Sequence, residues 1–182
     1  MGIFSKKNKG NIRLSKADFK TESEDYKLSS VKVSGDFFSK SPELGNKDND
    51  ENKSATITNS TEVKIAGKNV DVTFLSNDIE LNEDKFIELM SQKLNWISEH
   101  ERELKKSVAK KLLPLKNETW LEEDESQLSI SEFMKRIELS SISFYGKGNS
   151  EMIFDDGDLF WGHDILAILD TNNRLNDITI RG

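Results

Sequence analysis

The chain has 182 residues, a formal net charge of −7 and no cysteine, so a disulfide or a thiolate metal site is excluded. Hydrophobic residues make up 35% and charged residues 32%, which indicates a small core or a part of the chain outside it. No apolar run approaches the roughly 20 residues that span a bilayer, and the N-terminus lacks the apolar segment of a signal peptide. These features favour a cytoplasmic protein with one domain.

The negative charge is concentrated in the C-terminal part of the chain. Residues 1–58 have a net charge of +2, whereas residues 117–170 contain 13 acidic and 3 basic residues, a net of −10. Because an acidic surface repels phosphate groups, we do not expect nucleic-acid binding. The same surface would attract a basic protein and accelerate its encounter with the chain.

The N-terminal third has the composition of a tail and a linker. Residues 39–60 contain one leucine, one isoleucine and no aromatic residue, too little apolar surface to offset the entropy of ordering. The apolar residues of 26–38 indicate either a short strand docked on the domain or a partner-binding segment. We therefore expect a largely disordered tail and linker at 1–59 and a single domain at 60–182.

A β-hairpin is predicted at the start of the domain, in TEVKIAGKNVDVTFL. Val63 and Ile65 alternate with polar residues before a glycine, and Val70 and Val72 alternate after it. A turn at 67–68 would pair Ile65 with Val70 and Val63 with Val72, which places the apolar side chains on one face.

A long amphipathic helix follows, with Asn82 as its N-cap. Its apolar residues recur at helical spacing: Phe86, Met90, Leu94, Ile97, Leu104, Val108 and Leu112. We expect a break near residue 100 and an end at Pro114. A short helix is predicted at 117–125, anchored by Trp120.

The C-terminal part combines a capped helix with strands. Ser129 and Glu132 form a capping box that predicts a helix over about 130–137. Strands are predicted at 139–145, 150–155, 158–169 and 175–181, separated by polar turns. The resulting fold class is α+β: an antiparallel sheet of the N-terminal hairpin and four C-terminal strands, packed on the long helix and shorter helices.

The stretch EMIFDDGDLFWGHDIL (151–166) predicts a hairpin with a two-residue type I′ turn at Asp156-Gly157. The pairs across this hairpin would be Asp155 with Asp158, Phe154 with Leu159 and Met152 with Trp161. One apolar face would then contain Met152, Phe154, Leu159, Trp161, His163 and Ile165.

Facing carboxylates destabilise a strand pair, so Asp155 opposite Asp158 calls for an explanation. Three alternatives are open: pairing within the chain or plain solvation, a bound divalent cation, and contact with a partner. The spacing does not match a calcium-binding loop, so we assign no metal site and no cofactor.

His163 is either a core histidine held by one hydrogen bond or a functional residue beside Trp161. Asp164 would point to the other face of the strand, so the two cannot form a catalytic pair. The sequence has no HExxH motif, phosphate-binding loop or ordered Ser-His-acid set, and we assign no catalytic residue.

The residues IFDDGDLFWGHDILAIL and the closing NDITIRG resemble an uncharacterised bacterial family, domain of unknown function 2262. The likeness covers about 60–182, and its most specific part is 155–163. It implies an α+β cytosolic bacterial domain and brings no activity with it.

We interpret the chain as an acidic protein-binding domain, with an immunity protein that occludes a basic toxin as one form, by analogy. Two alternatives stay open: a divalent-metal enzyme using Asp155, Asp158 and His163, and a structural or regulatory module whose basic tail contacts membranes or proteins. The predicted partner-binding residues are Glu122, Glu123, Asp124, Glu125, Asp155, Asp156 and Asp158.

Overall fold

A seven-stranded sheet dominates residues 11–24 and 56–182, the parts of the chain that this computed structural model describes. In chain order the elements are a 3₁₀ turn (Lys16–Asp18), β1 (Lys20–Glu24), β2 (Thr56–Ile65), β3 (Lys68–Ile79), α1 (Glu83–Thr119), α2 (Ile130–Arg136), β4 (Glu138–Gly146), β5 (Asn149–Asp155), β6 (Asp164–Leu169) and β7 (Leu175–Arg181). The fold class is therefore α+β. The predicted docking strand at 26–38 lies outside the described residues.

The strands follow one another in the sheet in chain order, from β1 at one edge to β7 at the other. The pair β3–β4 is parallel and every other neighbouring pair is antiparallel. The expectation of a purely antiparallel sheet was therefore wrong. The reason is the helical connection between the two strands. Helices α1 and α2 return the chain to the end of the sheet at which β3 begins, so β4 runs in the same direction as β3.

The hairpin β2–β3 forms with a different register from the predicted one. Val63 lies opposite Val70, and the turn residues are Ala66 and Gly67, both with positive φ (51° and 86°). The predicted pairing was off by two residues. A slip of two preserves the face to which each side chain points, so Val63 and Ile65 are still buried.

Helix α1 is continuous from Glu83 to Thr119, so the predicted break near residue 100 and the end at Pro114 were wrong. The side chain of Asn82 caps the helix as predicted, accepting from the N–H of Asp84 at 3.1 Å. Pro114 is exposed, so the helical hydrogen bond that proline cannot donate is lost on the side of the helix that faces solvent. The apolar stripe on the buried side continues past it and holds the helix together.

The core lies between α1 and one face of the sheet. Strand β5 shows the alternation most clearly, because Ser150, Met152 and Phe154 are buried and their neighbours are more exposed. Lys93 is also buried here, and its ammonium group donates to the carbonyl oxygens of Gly148 at 2.8 Å and Asp170 at 2.6 Å. Burial lowers the pKa of Lys93 to about 8. The helix is thereby fixed to the β4–β5 and β6–β7 turns.

Candidate functional site

The residues between β5 and β6 form an eight-residue loop, 156–163, instead of a two-residue turn. The predicted type I′ hairpin and its pairs were wrong, since Phe154 lies opposite Ile165 and Met152 lies opposite Ala167. Asp155 and Asp158 do not face each other. Asp155 ends β5 opposite Glu138, whose carboxylate is 2.9 Å from the ammonium group of Lys68.

Asp156 organises the loop from within. The residue is only 4% exposed, and its carboxylate accepts hydrogen bonds from the backbone N–H of Asp158 at 3.1 Å and of Phe160 at 2.5 Å. Asp155 adds a bond from the N–H of Gly157 at 2.8 Å. An aspartate that bonds to the backbone two and four residues ahead competes with a tight turn and favours a wider one. The wider loop buries both Leu159 and Phe160, whereas adjacent residues of a strand would point to opposite faces of the sheet.

The loop backbone has left-handed conformations at four positions. The φ angles of Gly157, Asp158, Trp161 and Gly162 are 56°, 62°, 58° and 81°. A bulky residue such as tryptophan rarely adopts positive φ. Gly157 lies against the backbone of Arg136, where a Cβ atom would be 2.6 Å from the carbonyl oxygen, so this position accepts only glycine without a shift.

Trp161 points out of this loop and is 61% exposed. It was predicted to share the apolar face of the 151–166 hairpin, and that prediction was wrong because residue 161 lies in the loop before β6 begins. Its inner side contacts Trp120, with ring centroids 4.8 Å apart. Trp120 also makes edge contacts with Phe160 at 5.5 Å and His163 at 5.4 Å.

His163 is half-buried between this aromatic cluster and the C-terminal residue Gly182. Its Nδ1–H donates to the carbonyl oxygen of Phe160 at 2.6 Å. A carbonyl oxygen can only accept, so the contact places the proton on Nδ1. This hydrogen bond connects the end of the loop to its middle.

The acidic segment after α1 is a turn, so the predicted short helix at 117–125 was wrong. Trp120 is the C-cap of α1, and the N–H of Glu125 donates to the carbonyl oxygen of Glu122 at 3.0 Å. Glu122, Glu123 and Asp124 are exposed. Their carboxylates take part in no ion pair with the described residues.

Glu125 differs from its acidic neighbours because it is bound within the chain. Lys116, 1% exposed, forms an ion pair with it and donates to the carbonyl oxygen of Trp120 at 2.7 Å. Arg136 is 3.4 Å from its other oxygen. The hydrogen bond from Lys116 holds the pKa of Glu125 below its ordinary value. Lys116 was not predicted as part of the site, although it follows Leu104, Val108 and Leu112 at steps of four on the apolar stripe.

These contacts bring the two acidic segments together. Trp120 lies against Trp161. The side chain of Arg136 forms an ion pair with Glu125, and the backbone of the same arginine lies against Gly157. We call the exposed residues of this region the Trp161 surface: Glu122, Glu123, Asp124, Asp155, Asp158 and Trp161. Of the seven predicted partner-binding residues, Asp156 is left out because it is buried, and Glu125 because it is half-buried in its ion pairs with Lys116 and Arg136.

Within residues 11–24 and 56–182, no group of three His, Asp or Glu side chains is placed to hold a metal ion. No helix in the same residues has both the length and the apolar composition needed to cross a membrane.

Comparison with known proteins gives one match. Neither a curated protein nor a solved structure matches the chain. One family profile matches residues 48–180, including the whole 156–163 loop and most of the sheet. The chain therefore belongs to the family described as uncharacterised protein conserved in bacteria, domain of unknown function 2262.

Proposed function

We propose that this chain is a non-catalytic protein-binding domain that docks a basic partner on the Trp161 surface. The observation that supports this most strongly is Trp161 itself, 61% exposed at a φ angle of 58°. Such a backbone conformation costs about 1–3 kcal/mol and persists only where surrounding structure imposes it. The fully buried Leu159 and Phe160 lie directly before Trp161 and fix the backbone here, and the large aromatic ring that follows them is left in solvent.

An exposed tryptophan of this kind fits the centre of a protein interface. Tryptophan is enriched among the few residues that supply most of the binding free energy, since it buries a large area with little loss of side-chain entropy. The ring of Trp161 is already supported by Trp120 at 4.8 Å, so little further ordering is required when a partner covers it.

The surrounding charge favours a basic partner. Five exposed carboxylates share the Trp161 surface, and residues 117–170 have a net charge of −10. Charges at the rim of an interface mainly accelerate association and select partners of opposite sign. A lysine or arginine of the partner would also be attracted to the face of the tryptophan ring.

A more specific form of the proposal is an immunity protein in the cytoplasm that neutralises a basic toxin. Its mechanism would be occlusion, in which the Trp161 surface covers a basic substrate-binding face of the toxin. Charge complementarity would make the association fast and sensitive to salt. The support for this form is the acidic surface together with analogy to other small acidic bacterial domains.

The test measures binding between the purified chain and each basic protein encoded beside its gene, by calorimetry and stopped-flow fluorescence. We expect one of them to bind, with an association rate that falls as ionic strength rises. Trp161→Ala should weaken binding by about 30-fold or more, which corresponds to about 2 kcal/mol.

A pair of double variants controls for charge alone. Glu122→Gln with Glu123→Gln removes two charges from the Trp161 surface, and Glu62→Gln with Asp71→Asn removes two exposed charges from β2 and β3. Only the first pair should slow association. Equal effects of the two pairs, or full binding by Trp161→Ala, would contradict the proposed surface.

A further inference from the structure

Residues 11–15 lie along α1 in the manner of a bound peptide. The side chain of Asn95 accepts from the N–H of Ile12 at 2.8 Å and donates to the carbonyl oxygen of the same residue at 2.7 Å. The hydroxyl of Ser91 accepts from the N–H of Leu14 at 2.9 Å. Two side chains of the helix thus hold the main chain of the segment, which is how proteins bind extended peptides of varied sequence.

Residues 19–24 extend the same attachment onto the sheet. Strand β1 adds to the edge of β2 in antiparallel register, and the hydroxyl of Thr21 donates to the side-chain oxygen of Asn59 at 2.9 Å. Phe19 packs edge-on against Phe74, with ring centroids 5.2 Å apart. Strand addition with one aromatic anchor is a recurring mode of peptide recognition.

The segment supplies no fully buried side chain among the residues whose burial is described. None of residues 11–23 is buried, and every fully buried hydrophobic side chain within the described residues lies between Val63 and Leu169. A cleft of about 750 Å³ lies between residues 11–17 and the first half of α1. The family match begins at residue 48, after the segment. Ile12, Leu14 and Phe19 pack against the core while they stay partly exposed, so the segment covers the core from outside.

We propose that the β2 edge and the Ser91–Asn95 side of α1 form a peptide-binding groove, which the chain's own residues 11–24 occupy as a detachable ligand. The groove fits an extended peptide with apolar side chains at alternate positions, here Ile12 and Leu14, followed by an aromatic anchor, here Phe19. The attachment in cis keeps the groove closed to other peptides of this kind until the segment is released.

The experiment uses the full chain with a specific protease site inserted between Gly45 and Asn46. A labelled synthetic peptide of residues 11–24 is titrated against the protein before cleavage, and again after cleavage and removal of the released fragment. A tethered ligand competes at an effective concentration on the order of millimolar. We therefore expect the labelled peptide to bind the cleaved protein at least about 30-fold more tightly than the intact one. The far-UV circular dichroism spectrum of the cleaved protein should keep the helical signal of α1.

Variants locate the binding to the groove. Asn95→Ala removes both bonds to Ile12 and should weaken peptide binding about 10-fold or more. Gln92→Ala is the matched control, because Gln92 lines the same cleft without a hydrogen bond to the described part of the segment. A peptide carrying Leu14→Asp tests the same contacts without any change in the protein, and it should bind at least about 10-fold more weakly.

Two results would overturn the proposal. One is the absence of peptide binding to the cleaved protein after the fragment has been removed. The other is loss of the folded spectrum when the fragment leaves, which would make residues 11–24 an integral part of the fold.

Discussion

Two connections in this molecule carry the same sequence signal and form different structures. The β2–β3 connection and the β5–β6 connection both place a glycine between alternating apolar runs, a pattern that predicts a two-residue turn. The first is such a turn, at Ala66 and Gly67. The second is the 156–163 loop, with buried side chains and an exposed tryptophan.

The difference lies in what surrounds each glycine. A Cβ atom on Gly67 would meet nothing within 4 Å, so the turn only joins two strands. Gly157 lies against Arg136 and follows a buried carboxylate that bonds two backbone N–H groups. A local turn propensity decides the structure where the turn is solvated, and side-chain burial decides it where the connection joins the core.

We expect the largest loss of stability from a substitution at Gly157, and the same substitution at Gly67 provides the comparison. Gly157→Ala combines positive φ with a Cβ atom 2.6 Å from the carbonyl oxygen of Arg136, so we expect a loss of about 3 kcal/mol in the free energy of unfolding. Gly67→Ala has positive φ without a contact and should lose about 1 kcal/mol. Urea denaturation measures both. Equal losses would mean that the two connections are alike after all.

The two adjacent aspartates provide the next comparison. Asp156→Ala leaves two N–H groups in the loop without their acceptor, and we expect a loss of about 2 kcal/mol in the free energy of unfolding. Asp155→Ala removes one exposed bond to Gly157 and should lose about 0.5 kcal/mol. The order of the two unfolding midpoints checks this, and a reversed order would show that Asp156 does not organise the loop.

Sequence patterns predicted those parts of the fold that depend on local chemistry. The Asn82 cap, the Ser129–Glu132 capping box and the faces of β2 and β3 follow from single residues and from alternation. The parallel β3–β4 pair was missed, because strand direction depends on where a long helix returns the chain. Pro114 was misread because its effect depends on whether it lies on the exposed side of the helix.

The sequence and the structure agree in part on which acidic side chains are exposed. Five of the seven predicted acidic residues are exposed on the Trp161 surface, and their role in partner binding stays a prediction. Sequence could not separate Asp156 from Asp155 and Asp158, because only tertiary packing buries one of the three. Lys116 lies on the apolar stripe of α1, four residues after Leu112, and this position could have indicated that its side chain is buried and needs an acidic partner.

That ion pair gives a smaller, pH-dependent effect. The pKa of Glu125 is lowered in the folded state, so its contribution is present above the unfolded value near 4.5 and is lost as pH falls through the folded value. Glu125→Gln should cost about 1 kcal/mol at neutral pH, and the difference from the natural chain should shrink below pH 4.5. Unfolding free energies at a series of pH values measure it, and Glu123→Gln is the control on an exposed neighbour. A difference that stays constant with pH would show that the charge of Glu125 is not what holds the turn.

The smallest expected effect on stability is also the one that bears most directly on function. Trp161→Gly relieves the backbone strain at φ 58° and loses the contact with Trp120, two opposing changes, so the free energy of unfolding should shift by no more than about 0.5 kcal/mol. Trp120→Gly at the other side of the contact removes packing against Phe160 and His163 as well, and it should destabilise by at least about 2 kcal/mol. Thermal and urea unfolding of the two variants measure the contrast. If Trp161→Gly were as destabilising as Trp120→Gly, the exposed ring would serve the fold, and its place at the centre of a binding surface would lose its main support.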